Sequence, residues 1–458
     1  MLKEKIFKNA PLFFQNALIS AFNFLAYKKR YGGNYKIYRQ VYKGHRNIPL
    51  EELKKMQQQK CTQLIEYVCK HSFFYSDLYA AIKKPITLET LSLLPIVTKE
   101  KLQTHFNSII TVPLRSGVKS NTGGTTGKSL QVVFTKDNYQ ERFAILDTFR
   151  GQYGYVLGKR TAWFSGKNIV FDKDIKKHRF WKTDHLHNIR YYSTFHIKEN
   201  YLSYYIDDLI SYKPQFISGF PSTIVEIASY GLSKNISFPK NVIKAIFPTA
   251  ETITSKNRTI IETFFKTKVY DQYASSEGAP FIFECVNQNL HVQLHTGVFE
   301  VLDSNDQPAQ QGRLVVTSFT TFGTPLIRYD IGDVVVMSEK TCSCGDQNPI
   351  VENIMGRAGD FLFSPQHGKI NLGNISNTLK GTRGIIKFQA IQNKLNTIEI
   401  FLIVDKTIFT EKSQQLFYKN WVDRVGDSMK LEYIYVNEIP LEKSGKFCLV
   451  KNNIKHLI

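Results

Sequence analysis

No apolar run in this chain is long and clean enough to read as a membrane span. The richest, Pro11 to Tyr27, is interrupted by Gln15, Asn16 and Asn23, and no small-residue cleavage site follows it. Cysteine is sparse as well. Cys61, Cys69, Cys285, Cys342, Cys344 and Cys448 are scattered irregularly over 458 residues, which is no disulfide framework and fits a reducing cytoplasm. Internal repeats and long low-complexity tracts are absent, so neither a solenoid nor an extended disordered chain is expected. Acidic residues are short: 39 against 60 basic ones, for a formal charge of +21. The lysines are dispersed rather than gathered on one basic helix and no nucleic-acid fold signature accompanies them, so no nucleic-acid partner is expected. The charge suits anionic small molecules or an anionic membrane surface.

What is present is a globular composition, with 42% apolar and 22% charged residues over a length that calls for two domains. The pattern is mostly helical up to Lys84, with Glu51 to His71 as one clear amphipathic run. The earlier segment Pro11 to Tyr27 has Lys3, Lys5 and Lys8 before it and Lys28, Lys29 and Arg30 after it. Packing against the domain is the expected arrangement, and peripheral contact with an anionic membrane surface the alternative. From Tyr201 the chain alternates: a helix to Tyr212, a strand at 215–218, a helix opened by Pro221 and ending near Gly231, a strand at 242–247, a helix at 254–266 and a strand at 268–270. Such alternation predicts an α/β layer with parallel strands. After Glu277 the texture becomes that of strand hairpins, with a turn at Asp303 to Asp306 between strands at 298–302 and 313–319. Beyond Arg357 the order is strand, helix, strands near Ile385 and Ile398, a helix through Trp421 and a strand at 431–436, a small α+β domain. The expected division is 1–355, including a helical lead-in over 1–84, and 356–458.

Function is written most plainly in Asn121-Thr-Gly-Gly-Thr-Thr-Gly-Lys-Ser129. A run so rich in Gly and Thr lets backbone N–H groups and hydroxyls close on phosphate oxygens, while Lys128 adds a cation. It is not a Walker loop. Thr122 stands where that motif's first glycine belongs, and Leu130 to Thr135 reads as a β-branched strand rather than a phosphate-capped helix. In order after the loop come Tyr273-Ala-Ser-Ser-Glu277, Arg328-Tyr-Asp-Ile-Gly-Asp333, Gly356-Arg357 and Ser444-Gly-Lys446. Over Leu94 to Val450 this set resembles the adenylate-forming superfamily, most of all its phenylacetate-CoA ligase branch and the CapK-like relatives of capsular polysaccharide synthesis.

The resemblance implies a large N-terminal domain of α/β layers with a β-subdomain, followed by a small mobile α+β domain. It also implies an AMP-forming ligase that uses ATP and Mg2+. Thr122, Gly123, Gly124, Thr125, Thr126, Gly127 and Lys128 would hold the β- and γ-phosphates. Glu277 matches the magnesium ligand, Asp333 the ribose-binding aspartate, and Tyr273, Ser276 and Arg328 belong to the motifs around them. Arg357 would approach ribose or phosphate, and Ala250-Glu251 would pack on adenine. Lys446 matches the lysine that bridges carboxylate and α-phosphate, with Lys443 as the local competitor and Lys451 a more distant one. Trp163, Phe164, Gly219 and Phe220 are candidates for the acyl pocket, and core packing explains them nearly as well. The hinge departs from the family's Gly-Arg-x-Asp-Asp: here it reads Gly356-Arg357-Ala358-Gly359-Asp360, which puts the inferred domain alternation in question.

Cys342-x-Cys344, joined to Cys285 and His291, gives four donors suited to a tetrahedral, structural zinc. Related phenylacetate-CoA ligase-like sequences show a similar pattern; free cysteines beside a core histidine are the alternative. The partners expected are a carboxylic acid and a nucleophilic acceptor, either the CoA thiol or an amine or hydroxyl in surface polysaccharide synthesis. The rival reading is a catalytically silent scaffold of the same fold at a membrane surface.

Overall fold

The computed structural model describes residues 7–80, 82, 85–121, 130–165, 169–197, 199–357, 361–366, 368–371, 375, 377–379, 382–441 and 447–458. The chain divides into two compact units, Met1–Ile331 with Val336–Asn353, and Gly332–Val335 with Ile354–Ile458.

In the first unit the amphipathic run forms the helix Leu50–His71, with Glu51 and Glu52 in its first turn and Lys70 and His71 in its last, matching the helix dipole at both ends. It buries Leu53, Cys61, Leu64, Ile65 and Val68, and its buried Gln57 donates to the Gly297 carbonyl at 2.8 Å. Strands β1 (Val118–Asn121) and β2 (Gln131–Phe134) pair antiparallel, bringing Asn121 opposite Gln131.

The α/β layer follows. Its strands are β3 (Thr161–Ser165), β4 (Trp181–Asp184), β5 (Ile189–Ser193), β6 (Phe216–Gly219) and β7 (Ala245–Pro248), in the spatial order β4-β5-β3-β6-β7. The last four are mutually parallel and β4 is an antiparallel edge. β6 and β7 are buried along their whole length, as parallel strands covered on both faces must be. Helices Glu199–Tyr212, Pro221–Ser233 and Ser255–Phe265 supply the connections, the second with Pro221 at its start and the third capped by Thr254, whose side chain accepts from Asn257 N. Their apolar faces meet the sheet through Ile206, Leu209, Ile224, Ile227, Ile261 and Phe264. The strand expected at 268–270 shrinks to one parallel bridge between Val269 and Ile246. Ile246 N donates to the Lys268 carbonyl at 3.1 Å and Tyr270 N to the Ile246 carbonyl at 2.9 Å, and the next rung would need an N–H that Pro248 lacks.

A second sheet carries β8 (Gln272–Tyr273), β9 (Ile282–Glu284), β10 (Leu290–Val292), β11 (Gly297–Leu302), β12 (Gln311–Ser318), β13 (Tyr329–Ser338) and β14 (Ile350–Arg357), in the order β11-β12-β13-β14-β10-β9-β8. The turn between β11 and β12 is built as its sequence predicts: Asp303 Oδ1 accepts from the N–H groups of Asn305 and Gln307 at 2.7 and 2.9 Å. In the second unit, Lys430–Tyr435, Thr397–Val404, Ile385–Lys394 and Val450–Asn452 form a four-stranded sheet in that order. Phe417, Trp421 and Val425 of the helix Glu411–Val425 pack on it against Phe388, Ile398, Ile400 and Leu402.

Helices Pro221–Ser233 and Ser255–Phe265 approach closely because position 231 is glycine: a Cβ there would lie 2.1 Å from Phe264 Cε2. Gly231→Ala gains roughly 1 kcal/mol of helix propensity but must displace a buried ring, at about 1–3 kcal/mol. We expect Tm to fall; an unchanged or higher Tm would show that Phe264 rotates aside freely.

Candidate functional site

The ribbon β1–β2 frames the Gly/Thr loop. Thr122, Gly123, Gly124, Thr125, Thr126, Gly127 and Lys128 lie outside the described residues, but both ends of the loop are fixed by the Asn121–Gln131 pairing. A strand, not a helix, follows the loop, which separates it from a Walker fold. On one side Ser120 Oγ donates to the Ser276 carbonyl at 3.1 Å, so the base of the loop touches the Tyr273–Glu277 stretch. On the other, Val133 N donates to Thr324 Oγ1 at 2.8 Å and Phe322 N to Asn138 Oδ1 at 2.9 Å, tying ribbon and helix Lys136–Gln152 to the 320–324 segment.

Glu277 follows β8 in a turn closed by Ser275, whose Oγ accepts from Gly278 N at 3.2 Å and Ala279 N at 2.9 Å. Gly278 has φ +102°, and a Cβ there would meet Thr321 Cγ2 at 2.3 Å, so both backbone and space require glycine. Beneath the turn lies Arg142. Its Nη1 donates to the carbonyls of Gly278 and Ala279 at 2.8 and 3.0 Å and to Thr320 Oγ1 at 2.7 Å. The guanidinium also lies over the rings of Phe281 and Phe134, at 4.5 and 5.7 Å from their centroids. Burial pulls Arg142 down to about 9, while Glu141 and Glu277 draw it back up; it remains a cation at neutral pH. Glu277 itself is buried and Ser276 is exposed. Sequence reasoning missed Arg142, and the available signal was weak: its helix also buries Asn138, Glu141, Asp147 and Arg150, so charged residues give no clue to its inner face.

Arg328 stands differently from a nucleotide ligand. It is buried with φ +44°; Nε and Nη2 face the Glu300 carboxylate at 2.8–3.0 Å, and Nη1 faces the carbonyls of Ser92 and Leu94 at 2.8 and 2.5 Å. These bonds fix the entry into β13, five residues ahead of Asp333. Asp333 lies on β13 just after Gly332, whose φ is +82°. Glu251 accepts from Ser222 N and Oγ at 3.0 and 3.1 Å, capping the helix Pro221–Ser233, and the exposed Ala250 beside it has φ +66°. Arg357 ends β14 with its side chain outside the described residues; Ala358, Gly359, Asp360, Lys443 and Lys446 lie outside them altogether. Lys451 sits opposite Ile391 in the second unit's sheet.

The four acyl-pocket candidates do not share one surface. Successive side chains alternate across a strand. Phe164 is fully buried in the helix-covered core, stacked on Tyr192 at 4.8 Å, so it packs the layer instead of lining a cavity. Trp163 points to the other face, in register with Ser218. There the buried Ser218 hydroxyl has no partner among the described residues, a feature that sequence reasoning did not single out. Gly219 lets β6 pass the Phe164 carbonyl, 2.3 Å from where its Cβ would be, and Phe220 is buried as it leads into the helix.

The Cys/His set does converge. Donor atoms of Cys285, His291, Cys342 and Cys344 all lie within 4.8 Å of one another. Cys285 Sγ is 3.7 Å from Cys342 Sγ, and Cys344 Sγ is 3.5 Å from His291 Nε2. A tetrahedral zinc with its usual bond lengths demands edges of about 3.8 Å between sulfurs and about 3.6 Å between sulfur and nitrogen, so these residues fit the ion. His291 Nδ1 sits 2.8 Å from the Asn348 carbonyl, which fixes the tautomer that leaves Nε2 with its lone pair toward the sulfurs. No cysteine among the six is in a disulfide.

Known proteins bear on this geometry. The family model for the CapK C-terminal domain matches residues 362–453. Protein CapK of Staphylococcus aureus is 32% identical over 98% of this chain and 99% of its own length. The phenylacetate-coenzyme A ligase of Thermus thermophilus is 25% identical, over 69% of this chain and 73% of that one. A solved 2-hydroxyisobutyryl-CoA ligase, in its postadenylation state with 2-HIB-AMP, has a TM-score of 0.70 at 17% identity, covering 90% of this chain and 92% of its own, and so shares the fold. A near-full-length relative, a matching C-terminal domain and an adenylate-forming fold agree, and the chain belongs to the CapK family of the adenylate-forming superfamily.

Proposed function

We propose that this chain is an AMP-forming ligase that activates a carboxylic acid with ATP and passes the acyl group to a nucleophile. The observation that carries the reading is the Ser120–Ser276 hydrogen bond, which joins the base of the Gly/Thr loop to the segment bearing Glu277. In the first half-reaction a carboxylate oxygen attacks the α-phosphorus and pyrophosphate leaves. In the second the acceptor attacks the acyl carbon, loses its proton and expels AMP. Negative charge gathers on phosphate oxygens in the first step, which calls for fixed donors and cations. The Thr122–Lys128 loop supplies them to the β- and γ-phosphates, and Lys446 to the carboxylate and α-phosphate. Mg2+ would neutralise the departing pyrophosphate, and the buried, hard carboxylate of Glu277 is the ligand for it. Asp333 would accept from the ribose hydroxyls, and Arg357 would approach ribose or phosphate. Arg328 serves by holding β13 rather than by touching nucleotide, since its N–H groups already face Glu300, Ser92 and Leu94. Tyr273 and Ala250-Glu251 belong to the adenine side, while Trp163, Ser218 and Phe220 border the acyl group.

The acceptor is the CoA thiol, or an amine or hydroxyl in surface polysaccharide synthesis. Zinc at Cys285, His291, Cys342 and Cys344 is structural, since four protein ligands leave no open position.

ATP–pyrophosphate exchange with pooled aryl, uronic and amino acids tests the whole reading: exchange with any acid is expected, and none with every pool would leave the silent scaffold. With an active acid, Asp333→Ala should raise the KM for ATP roughly 10- to 100-fold, the worth of a charge-assisted hydrogen bond pair. Glu277→Ala should instead lower kcat. Small, equal effects from both would show that the nucleotide lies elsewhere. Metal analysis should find one zinc per chain, and its chelation should lower Tm; a metal-free protein with unchanged melting would remove the zinc.

A further inference from the structure

The helix Leu12–Tyr31 packs against the first unit with its polar side inward. Its buried residues are Gln15, Asn16 and Asn23. Gln15 Nε2 donates to the Phe7 and Ala10 carbonyls at 2.9 and 3.2 Å. Asn16 Oδ1 accepts from Thr183 N at 3.1 Å and Ser20 Oγ from His185 N at 3.2 Å. Asn23 Nδ2 donates to Asp184 Oδ2 at 2.7 Å and Tyr191 OH at 3.0 Å. Thr183 belongs to β4, the sheet edge, so amide and hydroxyl side chains of this helix satisfy N–H groups that an uncovered edge would leave to solvent. A helix that spends its polar residues on this task must turn its apolar ones outward.

It does so consistently. Phe13 is 83% exposed, Phe22 69%, Leu25 61% and Phe24 54%, with Phe14 and Leu18 also exposed. At about 100° per residue these six fall within one half of the helix circumference, and the inward polar residues within the other. Lys28 and Lys29 are exposed in the last turn, Lys8 is exposed before the first, and the helix contains no acidic residue. No helix among the described residues is long and apolar enough to cross a membrane.

We propose that this face lies in the surface of a membrane leaflet rich in anionic lipid, with the phenylalanines and leucines among the upper acyl chains and the lysines at the headgroups. An acid-free apolar face edged with cations matches such a surface in both chemistry and charge. A second copy of the chain would bring another +21 against it. The inference goes beyond the ligase activity and stands or falls separately from it.

Cosedimentation of the full chain with vesicles tests it. Binding to vesicles of phosphatidylglycerol mixed with phosphatidylcholine is expected to exceed binding to phosphatidylcholine alone by at least about tenfold and to weaken with salt. The double variant Phe22→Asp, Leu25→Asp should lose that binding with circular dichroism and Tm unchanged, since both side chains already face water. Lys28→Glu with Lys29→Glu should weaken it and flatten its salt dependence. Absence of binding to the anionic vesicles, or equal binding by the Phe22/Leu25 variant, overturns the proposal. Light scattering that shows a dimer in the parent chain and a monomer in that variant would overturn it too, assigning the face to a second copy.

Discussion

A guanidinium buried away from water has to find acceptors, and the arrangement around Glu277 follows from the acceptors that Arg142 found. Two backbone carbonyls and one threonine hydroxyl come from two separate segments, 278–279 and 320. Holding them at hydrogen-bond distance draws the turn after β8 onto the loop after β12. Ser318 adds a bond of its own to the Gly278 carbonyl, and Gly278 has the backbone conformation and the absent side chain that such closeness requires. Removing one member would leave the others buried and unpaired, so the cluster stands or falls together. Ser120 then hangs the Gly/Thr loop's near end on the same turn. The cation thus serves as a structural bolt directly below the carboxylate proposed to hold Mg2+.

Other charges in this chain work in the same way. Arg328 spends its donors on Glu300 and two carbonyls at the entry to β13, and Glu251 spends its carboxylate on a helix N-terminus. Both lie in stretches whose resemblance to the superfamily suggested contact with nucleotide. A motif reports that a residue type is needed at a place; it does not say whether the need is for binding the ligand or for holding the strand that binds it.

Much was legible in the sequence. The α/β layer could be read because short strands around Phe216-Ile217 and Ile246-Phe247 alternate with helices opened by Pro221 and Thr254, and the Asp303 turn because its side chain must satisfy nearby N–H groups. The Cys/His cluster could be read from the type and number of its donors together with the pattern shared with phenylacetate-CoA ligase-like sequences. What could not be read depended on contacts distant in sequence. Trp163 and Phe164 are neighbours in the chain but opposite in the sheet, and only β3's place between β5 and β6 shows which one is core. Arg142 gave no warning because its acceptors lie 136 to 178 residues away. The first long helix looked like an ordinary amphipathic segment awaiting a core. Its orientation is reversed because the edge strand beside it needed polar partners more than the core needed its phenylalanines.

The central claim is that Arg142 positions Glu277 for a magnesium-dependent adenylation, and the Mg2+ dependence of ATP–pyrophosphate exchange in Arg142→Lys tests it most directly. Lysine keeps the charge but cannot reach all three acceptors with the same planar geometry. The account predicts that the Mg2+ concentration giving half-maximal exchange rises several-fold and that kcat falls with it, even at temperatures where the variant is fully folded. A variant with lower Tm but an unchanged Mg2+ dependence would contradict it, leaving Arg142 a core residue without influence on the metal ligand above it.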